Sequence, residues 1–214
     1  MNIIENLNFI KKIINKKVNL IAVSKTKSKE KILEAFNAGQ RKFGENKVQE
    51  LKEKSKILPK EIEWHMIGHL QTNKVKYIAP FISLIHTVDS EKILIEIDKR
   101  AKQNNRVINC LLQFNISNEE NKYGIDLKEG EKLLEKSLNY KNIQIVGVMG
   151  MASLTQNKKQ IRKEFKNLKY LFDNFQNKNS NIKILSMGMS GDYKIAIEEG
   201  SNMIRIGSAI FGNR

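Results

Sequence analysis

A lysine placed directly after an apolar run is the first side chain in this sequence that could do covalent chemistry. Lys25 follows residues 20–23, an apolar run with the composition of a buried strand, in the segment AVSKTK. An unprotonated lysine amine can attack an aldehyde carbon to form an imine. The chain has 32 lysines, so a solvated lysine after a strand is expected by chance. Lys25 therefore becomes a candidate only through the groups that lie near it.

Two segments near the C-terminus combine glycine with serine and could bind an anion. The segment SMGMSGD contains Gly188, Ser190 and Gly191, and the second segment is Gly207 followed by Ser208. Glycine lets the backbone approach an anion closely, and the free N–H groups at the start of a helix bind phosphate. We expect the Ser190 hydroxyl to lie at such a helix start. An ordinary glycine-rich turn with a helix cap explains the same residues equally well.

Short apolar runs and amphipathic segments alternate along the chain. Most of the apolar runs are continuous, which is typical of parallel strands that are buried on both faces. The predicted strands are residues 20–23, 41–44, 62–67, 82–88, 107–114, 143–149, 182–187 and 203–206. Apolar residues at helical spacing predict helices over residues 2–16, 30–37, 90–103, 127–138 and 158–175.

This alternation predicts an α/β fold with a parallel sheet. Eight strands without a spare edge strand favour a (β/α)8 TIM barrel with an extra N-terminal helix, and an open doubly wound sheet is the alternative. No linker, low-complexity tract or repeat divides the sequence, so we predict a single domain over residues 1–214. In both topologies the functional site lies at the carboxyl ends of the strands.

In a closed barrel the first strand lies beside the last, so Lys25 would face both glycine–serine segments. Arg205 would add positive charge there, and positive charge disfavours protonation of a lysine amine. An aldehyde that carries a phosphate would use the amine and the anion-binding segments together. Pyridoxal 5′-phosphate is the obvious molecule of this kind.

The net charge of +15 raises the question of a nucleic-acid partner. Of the 38 cationic residues, 32 are Lys and six are Arg, and the lysines are scattered in runs no longer than two. Base and phosphate recognition favours arginine, and A/T-rich codons account for an excess of Lys, Ile and Asn. We therefore expect no specific nucleic-acid partner. A basic nucleic-acid-associated protein is kept as one alternative hypothesis for the function.

The cysteine content and the distribution of charge indicate a reducing compartment. Cys110 is the only cysteine, so neither an intramolecular disulfide nor a thiolate metal cluster can form. The longest stretch without a formal charge, residues 142–157, contains Gly and Gln and does not resemble a membrane span. The N-terminus does not resemble a signal peptide. We expect a cytoplasmic monomer with no membrane partner.

Five segments resemble, in the same order, the motifs of the pyridoxal phosphate homeostasis protein family. They are AVSKTK, FGENKVQE, WHMIGHLQTNK, SMGMSGD and RIGSAIFG, and together they extend from Ala22 to Gly212. The resemblance implies a barrel similar to the N-terminal domain of alanine racemase. It also implies a protein that stores, transfers or buffers pyridoxal phosphate inside the cell.

The same resemblance implies roles for individual residues. It places Lys25 at a Schiff base with the cofactor and Arg205 opposite the pyridine nitrogen. A cation beside this nitrogen disfavours its protonation and makes the ring a poorer electron sink. Around the phosphate and along the rest of the pocket, the resemblance places Ser190, Gly207, Ser208, Asn46 and Met189.

A racemase of this kind needs a second acid–base group on the opposite face of its substrate. In relatives of this fold a tyrosine from a C-terminal β-domain supplies it, whereas this chain as given ends at Arg214, directly after the eighth strand. Tyr193 is the tyrosine nearest the site, and we expect it to pack on the barrel from the first turn of a helix. We therefore expect a non-catalytic protein whose partners are the cofactor and recipient apo-enzymes, with a weak amino-acid racemase as the alternative.

The other candidate groups are assigned mainly structural roles. His65 and His69 are four residues apart but straddle a strand end, so we do not expect a zinc pair. His86 and Cys110 are predicted to be buried strand residues, His86 with one hydrogen bond. Lys122 follows the fifth predicted strand and is interpreted as a solvated loop lysine, with a secondary contact to free cofactor as the alternative.

Overall fold

The computed structural model describes residues 2–117 and 123–212, and within them the strands form a closed barrel. All neighbouring strands are parallel, and their spatial order follows the chain, with the last strand pairing with the first. The strands are β1 (Asn19–Val23), β2 (Lys42–Glu45), β3 (Glu63–Met66), β4 (Leu84–Val88), β5 (Ile108–Phe114), β6 (Ile143–Gly150), β7 (Ile184–Ser186) and β8 (Met203–Ile206).

Helices cover the outside of the barrel. A 3₁₀ helix, Thr72–Tyr77, occupies the connection between β3 and β4. The α-helices are α1 (Ile3–Ile13), α2 (Lys29–Asn37), α3 (Val48–Ile57), α4 (Glu91–Gln103), α5 (Leu127–Ser137), α6 (Lys158–Lys178), α7 (Tyr193–Glu198) and α8 (Ser208–Phe211).

The closed barrel confirms the predicted (β/α)8 fold with its extra N-terminal helix and excludes the open sheet. Helix α1 starts with a capping box in which the Asn2 side chain accepts a hydrogen bond from the N–H of Glu5, at 2.8 Å. The helix packs against α2 and α8, and Asn6 donates a hydrogen bond to the carbonyl of Ile210 at 3.0 Å. The extra helix therefore covers the seam where the first and last strands meet.

Two apolar layers surround the strands. A small cluster fills the interior of the barrel, and a larger one separates the strands from the helices. Alternate residues of a barrel strand point to the two layers, so a strand must be apolar on both faces, which explains the continuous runs in the sequence. The interior cluster consists of Ile21, Leu84, Leu111, Met149 and Met203.

Helix α3 was not predicted from apolar spacing, and the structure gives the physical reason. Its buried residues are Val48, Leu51 and Lys54, so a lysine occupies a position on the inner face where the pattern requires an apolar residue. Cys110 is fully buried in β5, as expected, and burial raises the pKa of its thiol. Among the described residues, none of the helices combines the length and apolar composition that a membrane crossing requires.

Candidate functional site

A cavity of about 440 Å³ opens at the carboxyl ends of the strands. It lies where the sequence predicts the site, because the residues that follow β1, β2, β7 and β8 form most of its wall. The structure brings all seven predicted site residues to this wall. They are Lys25, Asn46, Met189, Ser190, Arg205, Gly207 and Ser208.

Lys25 reaches the cavity because of the alternation along β1. Val23 and Lys25 both line the cavity, whereas the side chain of Ser24, between them, is fully buried. The chain then turns sharply, because the N–H of Lys27 donates to the carbonyl of Ser24 at 3.0 Å. Thr26 adopts a left-handed conformation, with φ of 63°, which is uncommon for a β-branched residue. We call residues 24–27 the Lys25 turn.

Ser190 also lines the cavity. Its Oγ accepts hydrogen bonds from the backbone N–H of Gly207, at 3.2 Å, and of Ala209, at 3.4 Å. These N–H groups stand at the start of α8, beside Ser208. We call Ser190, Gly207 and Ser208 the β7–β8 wall. Hydroxyl and amide donors that converge in this way can bind a phosphate.

The two glycines of SMGMSGD, a segment that could be an anion site or an ordinary turn, have different surroundings. Gly188 serves the turn, because its φ is 98° and a Cβ atom there would lie 2.6 Å from the side chain of Ala196. Gly191 lines the cavity, and a Cβ atom there would meet nothing within 4 Å. The helix that follows in the chain, α7, begins after Asp192, whose carboxylate accepts from the N–H of Met189. The Ser190 hydroxyl lies instead at the start of α8.

Arg205 enters the cavity from β8 with only 4% of its surface exposed. Its guanidinium donates to the hydroxyl of Ser186 at 2.6 Å and to the carbonyl of Gly150 at 3.1 Å. Burial lowers the pKa of Arg205 to about 10, and the carboxylate of Asp192 opposes this effect. The guanidinium is therefore positively charged at neutral pH and is held in one orientation.

Behind Arg205, two histidines continue a hydrogen-bonded chain through the barrel interior. His86 Nδ1 lies 3.2 Å from Ser186 Oγ, and His86 Nε2 lies 2.9 Å from His65 Nδ1. His86 thus has two partners rather than the single one predicted. Burial lowers the pKa of His65 to about 3 and the pKa of His86 well below its usual value, so both rings are neutral at pH 7.

His69 lies in a different environment from the buried His65. It is half-exposed, stacks on the ring of Tyr123 at a centroid distance of 4.2 Å and lies 3.6 Å from Asp89. The described residues contain no group of three His, Cys, Asp or Glu side chains that could hold a metal ion. Lys122, the other lysine considered above, lies outside the described residues.

The cavity is strongly cationic. Lys25, Lys27 and Arg205 line it, and no carboxylate does so within the part of the chain that the structure describes. Sequence reasoning did not select Lys27, whose amine donates to the carbonyl of Gly212 at 3.0 Å. The available signal was its position in the same short segment after β1, two residues beyond Lys25. The donor set and the volume fit a small dianion such as a phosphate monoester.

Comparison with known proteins identifies the family. Residues 1–214 match the family model described as alanine racemase, N-terminal domain. A pyridoxal phosphate homeostasis protein of Aquifex aeolicus is 41% identical over 197 residues, which cover 91% of this chain and 86% of that protein. The chain belongs to the pyridoxal phosphate homeostasis protein family. The resemblance carried by the five sequence motifs is therefore confirmed.

Solved structures agree with the family assignment. PipY of Synechococcus elongatus, solved with pyridoxal phosphate bound, superposes with a TM-score of 0.90 at 32% identity and covers 99% of this chain and 100% of its own. An alanine racemase of Clostridium difficile superposes with a TM-score of 0.82 at 15% identity, and this chain covers 56% of it. The second likeness shows a shared fold.

Because burial lowers the pKa of His65, we expect the stability of the fold to depend on pH. An unfolded histidine binds a proton near pH 6.5, whereas folded His65 binds one only near pH 3. Between these values the unfolded state holds more protons, so acid destabilises the fold. The proton taken up by His65 on unfolding accounts for about 2 kcal/mol at pH 5. Urea unfolding at pH 7.5 and pH 5 measures this loss, which should be smaller in His65→Gln.

The half-exposed His69 provides the matched control. His69→Gln also removes one histidine ring, but from a half-exposed position outside the buried His65–His86 pair, so it separates the loss of a buried ring from the loss of any histidine. An equal loss of stability between pH 7.5 and pH 5 in the wild type and in His65→Gln would contradict the assignment of a neutral, buried His65.

Proposed function

We propose that this protein binds pyridoxal 5′-phosphate in the cavity at the barrel mouth and holds it through a Schiff base on Lys25. The observation that carries the proposal is that Lys25, the β7–β8 wall and Arg205 line one 440 Å³ cavity. When bound, the cofactor supplies an aldehyde and an electron-withdrawing ring. The amine of Lys25 adds to the aldehyde carbon, and loss of one water leaves the C=N bond.

The β7–β8 wall would hold the phosphate. The N–H groups of Gly207 and Ala209 donate to Ser190 Oγ at 3.2–3.4 Å, which leaves the Ser190 O–H at the start of α8 to donate to a phosphate oxygen. Lys27 adds positive charge nearby. Hydrogen bonds from such groups to an ionised phosphate are stronger than those between neutral partners. Asn46 and Met189 would contact the rest of the molecule from the cavity wall.

Arg205 would face the pyridine nitrogen and keep it unprotonated. The guanidinium is charged, buried and fixed by Ser186 and the carbonyl of Gly150. A neutral pyridine withdraws electrons less strongly than a pyridinium, so carbanions at the substrate carbon are poorly stabilised. This arrangement suits a protein that holds the cofactor without carbanion chemistry, or a racemase that compensates for the poorer electron sink with a strong base.

The positions of the tyrosines support a protein that holds the cofactor over an efficient racemase. All five lie within the described residues, and none of them lines the cavity. Tyr193 is buried in the first turn of α7 and belongs to the apolar core, as the sequence predicts. The name of the Aquifex aeolicus relative refers to cofactor homeostasis. We therefore propose a non-catalytic cytoplasmic monomer that stores pyridoxal phosphate or transfers it to recipient apo-enzymes, with no nucleic-acid partner.

A weak amino-acid racemase is the second candidate function. The observation in its favour is the likeness of the barrel to that of alanine racemase, together with a lysine at the cavity that could exchange a proton with a bound amino acid. One acid–base group allows slow exchange of an α-proton, whereas efficient racemisation requires a second group on the other face.

Replacement of the lysine tests the proposed linkage. The wild type mixed with pyridoxal phosphate and freed of excess ligand should show a visible imine band, and Lys25→Ala should lack it, since the remaining contacts are non-covalent. Lys29→Ala is the matched control, because Lys29 is exposed and lies outside the cavity on α2. An undiminished visible band in Lys25→Ala would refute the assignment of the imine to this residue.

Cofactor transfer separates the two candidate functions. The loaded protein should restore activity to the apo form of a pyridoxal-phosphate-dependent enzyme, because a lysine–cofactor imine can exchange with another lysine amine. In deuterated water it should exchange the α-proton of alanine at least about 100-fold more slowly than an alanine racemase, since a missing acid–base group costs 10²–10⁴-fold. Exchange at a comparable rate, without reactivation of the apo-enzyme, would favour the racemase.

A further inference from the structure

Helix α3 carries a buried lysine that the proposed binding chemistry does not use. Lys54 is 7% exposed and lies on the inner face of the helix, one turn after the buried Leu51. Lysine is almost never buried unless its charge is paired. A paired buried charge is also a weak source of stability, because an apolar residue of similar volume often serves the fold equally well.

The three N–H bonds of the Lys54 ammonium group are all used. Its Nζ lies 2.8 Å from Glu45 Oε1, 2.6 Å from Glu50 Oε1 and 2.8 Å from the backbone carbonyl of Ser24. Glu45 is fully buried at the end of β2, and Glu50 lies one helical turn before Lys54. An ammonium group has three donors, so its hydrogen-bonding capacity is filled.

Each of the two carboxylates also contacts the Lys25 turn. Glu45 Oε1 accepts from the hydroxyl of Ser24 at 2.6 Å, and Glu50 Oε1 accepts from the backbone N–H of Thr26 at 2.6 Å. The residues immediately before and after Lys25 are therefore held by the same network. The Lys25 side chain points away from it, into the cavity.

The turn needs such support. A non-glycine residue in the left-handed region costs of order 1–3 kcal/mol and persists only where its surroundings impose it. Thr26 has φ of 63°, and its N–H bond to Glu50 is one of the contacts that impose this conformation. Neither Lys54 nor its two glutamates takes part in the hydrogen bonds between Ser190 and the N–H groups of Gly207 and Ala209, so the network beneath the turn does not itself hold the β7–β8 wall.

We propose that Lys54 is a positioning residue, which holds the amine of Lys25 toward the cavity through Glu45, Glu50 and the backbone of Ser24. The inference rests on the proposed function, since it concerns how readily Lys25 meets an aldehyde. Without Lys54, two carboxylates repel each other beneath the turn, and the amine samples a wider range of positions. Formation of the C=N bond becomes slower and less favourable, whereas recognition of the phosphate is unchanged.

Two ligands separate positioning from general stability. Pyridoxal 5′-phosphate has the aldehyde that reacts with Lys25, whereas pyridoxine 5′-phosphate has an alcohol in its place and cannot form an imine. Lys54→Met, which keeps the apolar stem, should weaken binding of pyridoxal phosphate by about tenfold or more and slow the appearance of the visible band, as expected for a misplaced reacting group. Its affinity for pyridoxine phosphate should stay within about twofold of wild type, because phosphate contacts set it.

Two further variants complete the experiment. Arg100→Met on α4 is the matched control, because Arg100 also pairs with a carboxylate one turn away, Glu96 at 2.6 Å, but lies outside the cavity. It should bind both ligands as the wild type does. If Lys54→Met does not fold, Glu50→Ala carries the test, since Glu50 is partly exposed and its loss frees the N–H of Thr26.

The outcomes are distinct. Selective loss of pyridoxal phosphate binding in Lys54→Met or Glu50→Ala supports the positioning role. Equal losses for both ligands, or wild-type imine formation in the folded variants, would overturn it.

A wild type that binds pyridoxine phosphate but never develops the visible band would refute the Schiff base proposed for Lys25, and with it the role of Lys54. A wild type that binds neither ligand would refute the proposed function itself.

Discussion

The site depends on the pairing of the first strand with the last. β1 and β8 are parallel and in register from Asn19, opposite Met203, to Ala22, opposite Ile206. Because side chains alternate along both strands, this register brings Lys25, which follows β1, to the same cavity as Arg205 and Gly207 of the neighbouring strand and its end. Residues 180 positions apart in the chain thus become neighbours, and a slip of one residue would turn Lys25 out of the cavity.

The cavity gathers positive charge, and the fold stabilises this charge with hydrogen bonds rather than with carboxylates on the cavity wall. Arg205 is held by a hydroxyl and a carbonyl, which are both neutral. Lys54 and its two glutamates lie behind the Lys25 turn, outside the cavity wall as the structure describes it. The positive charge on the cavity wall is therefore not neutralised by carboxylates of that wall and can attract a dianion. The ion pairs of Lys54 instead contact the backbone of the Lys25 turn.

Much of the fold was predictable because a closed parallel barrel requires strands that are apolar on both faces. All eight predicted runs are strands in the structure, and the residues that follow them contain the predicted site. Local patterns could not reveal the features that depend on distant partners. Helix α3 was not predicted because Lys54 interrupts its apolar face. The second hydrogen-bond partner of His86 was not predicted because it is Ser186, 100 residues away in the chain. Both features put polar groups inside, where sequence periodicity expects apolar ones.

The most direct test of the account locates the cofactor on the chain. The protein is loaded with pyridoxal phosphate, reduced with borohydride to convert an imine into a stable secondary amine, and digested for peptide mapping by mass spectrometry. The account predicts a single modified peptide with the adduct on Lys25. An adduct on another lysine of the cavity, such as Lys27, or an unmodified chain after loading and reduction, would contradict it.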